Sequence, residues 1–104
     1  MDLLNTITLT QLNYFYTVVN SKSVHEAAKK LLITQPSLSV ALKNLETELQ
    51  LSLFDRSKRQ LTLTETGKQF YMEVTALLNH TANLEDRIKL LQKGRQFIRL
   101  GVAL

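Results

Sequence analysis

The residues that could do chemistry fall in two short runs. The first is Thr34-Gln35-Pro36-Ser37-Leu38-Ser39-Val40 with Lys43, and the second is Asp55-Arg56-Ser57-Lys58-Arg59-Gln60. At about 100° per residue, Pro36, Val40, Lys43 and Thr47 lie opposite the stripe Leu38, Leu42, Leu45 and Leu49, with Ser37 and Ser39 on the flanks. That outward face is small, mostly uncharged and able to form hydrogen bonds. It suits insertion into a major groove, where bulky or acidic side chains would clash with or repel the duplex. The second run is cationic at Arg56, Lys58 and Arg59. A loop tip of that charge beside such a helix can reach phosphates or a minor groove. Arg56 has a second, structural reading, as the partner of a nearby carboxylate. Catalysis finds no support: His25 and His80 are far apart and outside metal-ligand spacing. Ser37 and Ser39 have no neighbouring base, and no glycine loop cradles a phosphate.

These runs need elements to position them. Ser23 with Glu26 forms a capping box, after which Val24, Ala27, Ala28 and Leu31 make a buried helical face. The apolar turn Leu32-Ile33 is expected to be buried in the angle between two helices. Thr34 or Gln35 caps the next helix, with Pro36 in its first turn. The stretch from Ser23 to Glu46 is therefore a helix-turn-helix. A helical hairpin with a solvated polar side would show the same pattern, and the two readings stand side by side at this point.

The combination of Phe15, Ser23, Ala27-Ala28, Leu31, Thr34-Gln35-Pro36-Ser37, Ser39, Leu42, Leu45-Glu46, Leu49, Leu53-Phe54, Arg56, Arg59, Leu63-Thr64 and Gly67 resembles the LysR-type transcriptional regulators. The resemblance runs from about Leu9 to Gly101. It implies an all-α fold with a small β wing, that is, a winged helix-turn-helix plus a long C-terminal dimerisation (linker) helix. It also implies a bacterial dimer that places two recognition helices in successive major grooves of an interrupted palindrome. Ser23 and Thr34 would then hold phosphates at helix N-termini. Gln35, Ser37, Ser39 and Lys43 would meet base edges or adjacent phosphates, and Arg59 with Lys58 would enter the flanking minor groove. Four positions depart from the family pattern. Gln50 stands where Gly is usual, Val40 where Arg often follows the serine, and Lys58 and Gln60 where wing glycines are common.

Composition is compatible with this reading. The chain has 104 residues, a net charge of +4 and no cysteine. It fits one domain with an extension, with no disulfide framework and no cysteine-ligated metal. No cofactor or metal is expected. No apolar run approaches the ~18 residues of a membrane span, no export signal is evident, and the cytoplasm is the expected compartment.

In chain order, Met1 to Ile7 is expected to be extended or frayed. Thr8 and Gln11 form a T-x-x-Q capping box for a helix ending near Asn20, with a core face of Leu12, Phe15, Tyr16 and Val19. Tyr14, Phe15 and Tyr16 are read as core filling. Leu51 to Phe54 and Leu61 to Leu63 flank the basic turn as a two-stranded wing. Thr64 caps a helix expected to reach about Gln92, with Lys93-Gly94 as its stop. Its seam Phe70, Val74, Leu77, Thr81, Leu84, Ile88 and Leu91 steps in fours and threes, as in a coiled coil. At about 28 residues it would span roughly 42 Å and need a partner. Residues Leu77, Thr81, Leu84, Ile88 and Leu91 are the expected dimerisation contacts. Phe97 to Leu104 reads as a β-like stub of a further domain. The expected division is 1–64, 65–93 and 94–104, with a small-molecule effector met only through the missing C-terminal domain and a tetramer open to the full-length protein. A helical scaffold without specific DNA binding is the alternative.

Overall fold

The computed structural model describes residues 3–99. The chain separates into two compact units, 1–74 and 75–104. The first unit holds α1 (Leu3–Thr6), α2 (Leu9–Val19), α3 (Val24–Leu31), α4 (Gln35–Leu49), β1 (Phe54–Asp55), β2 (Thr62–Leu63) and the opening turns of α5 (Glu65–Arg99). The single turn α1 stands at Leu3–Thr6, where an extended or frayed start was expected, while Met1 and Asp2 lie outside the described residues. It lies against α4, and the Ile7 N–H closes onto the Leu3 carbonyl at 2.8 Å.

The Thr8–Gln11 capping box forms in full. The Gln11 N–H donates to Thr8 Oγ1 at 3.2 Å, and Gln11 Oε1 accepts from the Thr8 N–H at 2.8 Å. At Ser23 only half a box forms. Its Oγ accepts from the Glu26 N–H at 3.0 Å, but the Glu26 carboxylate turns to the Lys22 N–H and to Lys30 Nζ. A cation one turn along the same helix competes for that carboxylate.

The core face of α2 is Leu12, Phe15 and Val18, with Tyr16 and Val19 only half-buried. Steps of three rotate the face toward Val18, since α3 and α4 both pack on this helix. Tyr16 instead stacks on Tyr71 at 5.6 Å with the rings 11° apart. Phe15 is the centre of the core, 5.5 Å from the Phe54 ring and 5.1 Å from Phe70. Ala27 and Ala28 let α3 approach closely, and Leu38, Leu42 and Leu45 close the core from α4.

The turn between α3 and α4 corrects one expectation. Leu32 caps α3 in the left-handed region at φ 58° and is 92% exposed, so it is not buried in the angle. Such a cap turns its side chain off the helix face, and the next residue takes the inward position. Ile33 is half-buried, and its N–H reaches the Ala28 carbonyl at 3.1 Å. Gln50 caps α4 in the same left-handed way at φ 56°, without the usual glycine.

The wing is shorter than expected. Its antiparallel pairs are Phe54 with Leu63 and Asp55 with Thr62. Residues 51–53 spend their backbone groups elsewhere. The Leu51 N–H closes α4 onto the Glu46 carbonyl, the Ser52 carbonyl accepts from Thr64 Oγ1 at 2.6 Å, and the Leu53 N–H goes to the Glu46 carboxylate. Thr64 also caps α5, accepting from the Gly67 N–H at 2.9 Å.

The second unit is the remainder of α5. The stop expected at Lys93-Gly94 is not made, and the helix continues to Arg99. One glycine costs only about 1 kcal/mol relative to alanine, which flanking Leu, Gln, Lys and Arg helix formers offset. Phe97, Ile98 and Arg99 are thus helical rather than β, while Leu100 to Leu104 lie outside the described residues. Leu77, Leu84, Ile88 and Leu91 are 40%, 51%, 43% and 72% exposed along one seam. Thr81, half-buried between them, donates its hydroxyl to the Leu78 carbonyl at 2.7 Å.

Candidate nucleic-acid interface

With Leu38, Leu42 and Leu45 sealed in the core, helical geometry turns the opposite side of α4 outward. Gln35, Pro36, Ser37, Val40 and Lys43 are exposed and Ser39 is half-buried. The N-cap is well made. Thr34 Oγ1 accepts from the Ser37 N–H at 3.2 Å and donates to Ser37 Oγ at 2.8 Å.

A cleft of about 470 Å³ runs between the start of α3, Gln35 and residues 59–61 of the wing. It brings Ser23, Gln35 and Arg59, which are distant in sequence, onto one concave surface. Lys22 and His25 line the same cleft. Neither was singled out from sequence for this role: His25 was weighed only as a metal ligand. Their place beside the Ser23 cap is the signal that could have found them. Among the described residues no cluster of His, Cys, Asp or Glu could hold a metal.

The wing's charges are not equivalent. Arg56 Nη2 is 2.7 Å from Glu46 Oε1, and its guanidinium sits 5.7 Å from the Phe54 ring centroid. The carboxylate pairing expected of it as a structural residue is formed. Glu46 Oε2 accepts from the Leu53 N–H at 2.8 Å and the Phe54 N–H at 3.2 Å. Burial pushes the Glu46 carboxyl up, but Arg56 and the two amides together outweigh it and hold the group below the usual carboxylate range. Sequence reasoning gave Glu46 no role, because its partners lie seven to ten residues away around a turn. Lys58 and Arg59 remain exposed at the tip. The tip is shaped by Asp55, which accepts from the Ser57 N–H at 2.9 Å and Ser57 Oγ at 2.6 Å. Those bonds lower the Asp55 carboxyl from its ordinary value.

A helix-turn-helix with one exposed face on its second helix, followed by a two-stranded hairpin, is a winged helix-turn-helix. Residues 9–68 match the bacterial regulatory helix-turn-helix proteins of the lysR family. The chain is 38% identical over 96 residues to the transcriptional regulator CfxR of Cupriavidus necator, covering 92% of this chain and 28% of that one. It is 37% identical over 93 residues to the regulator BenM of Acinetobacter baylyi, covering 89% of this chain and 31% of BenM. The crystal structure of the BenM DNA-binding domain in complex with catB site 1 DNA superposes with a TM-score of 0.81 at 36% identity. That match covers 86% of this chain and 96% of the BenM domain. The chain belongs to the LysR family. It spans under a third of the length of these two regulators.

Proposed function

We propose that this chain is the DNA-binding part of a LysR-type transcriptional regulator and binds an interrupted palindrome as a dimer. One observation carries the reading: the exposed face of α4 and the cationic wing tip at Arg59 belong to the same unit, and Arg59 shares a cleft with Gln35 at the start of that helix. Likeness to a domain solved on duplex DNA supports it.

In this reading α4 enters the major groove. Gln35, Ser37, Ser39, Val40 and Lys43 face base edges, and Pro36 packs against the groove wall. Ser23 and Thr34 present helix N-termini to phosphates, while Lys58 and Arg59 reach the neighbouring minor groove. Arg56 supports the wing through Glu46. Residues 1–64 form the DNA-binding domain, and α5 supplies the linker whose seam, Leu77, Thr81, Leu84, Ile88 and Leu91, pairs two copies. Residues 94–104 lead toward a further domain that would bind a small-molecule effector. The chain acts by binding rather than catalysis, in the cytoplasm.

The test is selection of duplexes from a random pool at stated salt, followed by affinity measurements across ionic strength. A two-part recovered site and a log–log salt slope of about −0.9 per phosphate contacted are expected. Absence of salt-dependent binding would favour a helical scaffold instead.

A further inference from the structure

The ladder between β1 and β2 covers only two residues on each strand. A hairpin that short has little rigidity of its own. Its root is nevertheless fixed to α4 through one carboxylate. Glu46, with a side chain 11% exposed, accepts from the Leu53 and Phe54 amides on one oxygen and from Arg56 on the other. Leu53 and Phe54 are themselves core residues, 0% and 4% exposed. Arg56 is the first residue beyond β1, so the three donors follow the chain from the core out to the wing.

We propose that Glu46 is a positioning residue for duplex binding, holding the wing at a fixed height beside α4 so that Arg59 and the α4 face meet one duplex together. This rests on the DNA-binding reading above. Without the carboxylate, Arg59 would have to be ordered at the moment of binding, and that entropy would erase its contribution. Glu46 and Arg59 then carry one shared contribution to affinity rather than two separate ones, which a double-mutant cycle detects.

The measurements are affinities of the 104-residue chain for its selected duplex across salt, for Glu46→Ala, Glu46→Gln, Arg59→Ala and the double variants. Glu46→Ala is expected to match the loss in Arg59→Ala within about twofold and to flatten the salt slope by about one unit. The double variant is expected within about twofold of either single one, with discrimination among major-groove base changes retained. Glu46→Gln keeps an acceptor for the two amides and should recover part of the loss. Losses that multiply in the double variant would overturn the proposal, as would a loss of major-groove discrimination. If Glu46→Ala fails to fold, the cycle of Glu46→Gln with Arg59→Ala decides by the same criterion. A second readout needs no DNA. The chain has no cysteine, so a spin label at Lys58→Cys reports only the wing tip. Greater label mobility in Glu46→Gln supports the proposal, and unchanged mobility overturns it. A parent chain that binds no duplex at low salt would defeat the DNA-binding reading alone, leaving the label to judge the pin.

Discussion

Val40 offers the sharpest test of how α4 would read a sequence. It is a β-branched apolar residue, 57% exposed, on the side of α4 opposite Leu38, Leu42 and Leu45, which are 0%, 2% and 0% exposed. In a major groove it has no hydrogen bond to offer, and its one good partner is the C5-methyl of thymine. Full burial of a valine is worth about 1.5–3 kcal/mol, so the exposed share leaves roughly 0.9–1.7 kcal/mol to gain on docking. One thymine methyl accounts for about 0.8 kcal/mol of that, or about fourfold in affinity. Each half-site is expected to place a thymine under Val40. Replacing it with uracil removes only the methyl and should weaken binding about fourfold per half-site, and about 15-fold when both are changed. Competition binding at fixed salt reads this directly, and Val40→Ala should lose most of the sensitivity. If the wild-type protein ignores the methyl at every thymine of its site, the assigned reading face is wrong.

Leu84→Asp should yield a folded monomer by sedimentation. The two leucines of a paired seam, each about half exposed beforehand, would otherwise contribute roughly 1.5–3 kcal/mol together, and an unchanged dimer would exclude the seam. Gly67→Ala should destabilise the first unit by about 1–3 kcal/mol in denaturant melts. A Cβ there would collide with the Leu53 carbonyl oxygen, a backbone atom that also accepts from the Thr64 N–H, and the helix propensity gained from alanine is smaller than that strain. Glu46 should make stability pH-dependent on the acid side. Its folded pKa is lowered, so its stabilisation is fully present above the ordinary carboxylate value and is lost as pH falls through the folded value. Thermal melts between neutral and acid pH should show a shallower decline for Glu46→Gln than for the wild type, and identical profiles would contradict the pairing.

Much of the helix-turn-helix was legible because burial on one side of a helix leaves a period. Leu38, Leu42 and Leu45 repeat in steps of four and three, and all three are core residues. Caps were legible for a similar reason, since a hydroxyl three residues before the amide N–H that donates to it is a local relation. Thr8, Thr34 and Thr64 all cap as their spacing implied. What escaped was set by geometry after the chain turns. Leu32 looked like core because it is apolar and sits between two apolar faces, yet a left-handed cap sends its side chain into solvent. Gly94 looked like a stop, but a glycine ends a helix only when the backbone there leaves helical geometry, and its neighbours favour continuing.

The wing shows the same limit in its consequences for binding. Counted along the sequence, Arg56, Lys58 and Arg59 are three equal cations on one turn. In the fold, Arg56 is within 2.7 Å of a carboxylate and lies over the Phe54 ring, while Lys58 and Arg59 stand exposed. A salt dependence built from the sequence count alone would treat the three cations alike, although Arg56 is paired with Glu46. Charge is a property of the chain, but its availability to a polyanion is decided by which carboxylate the fold brings beside it.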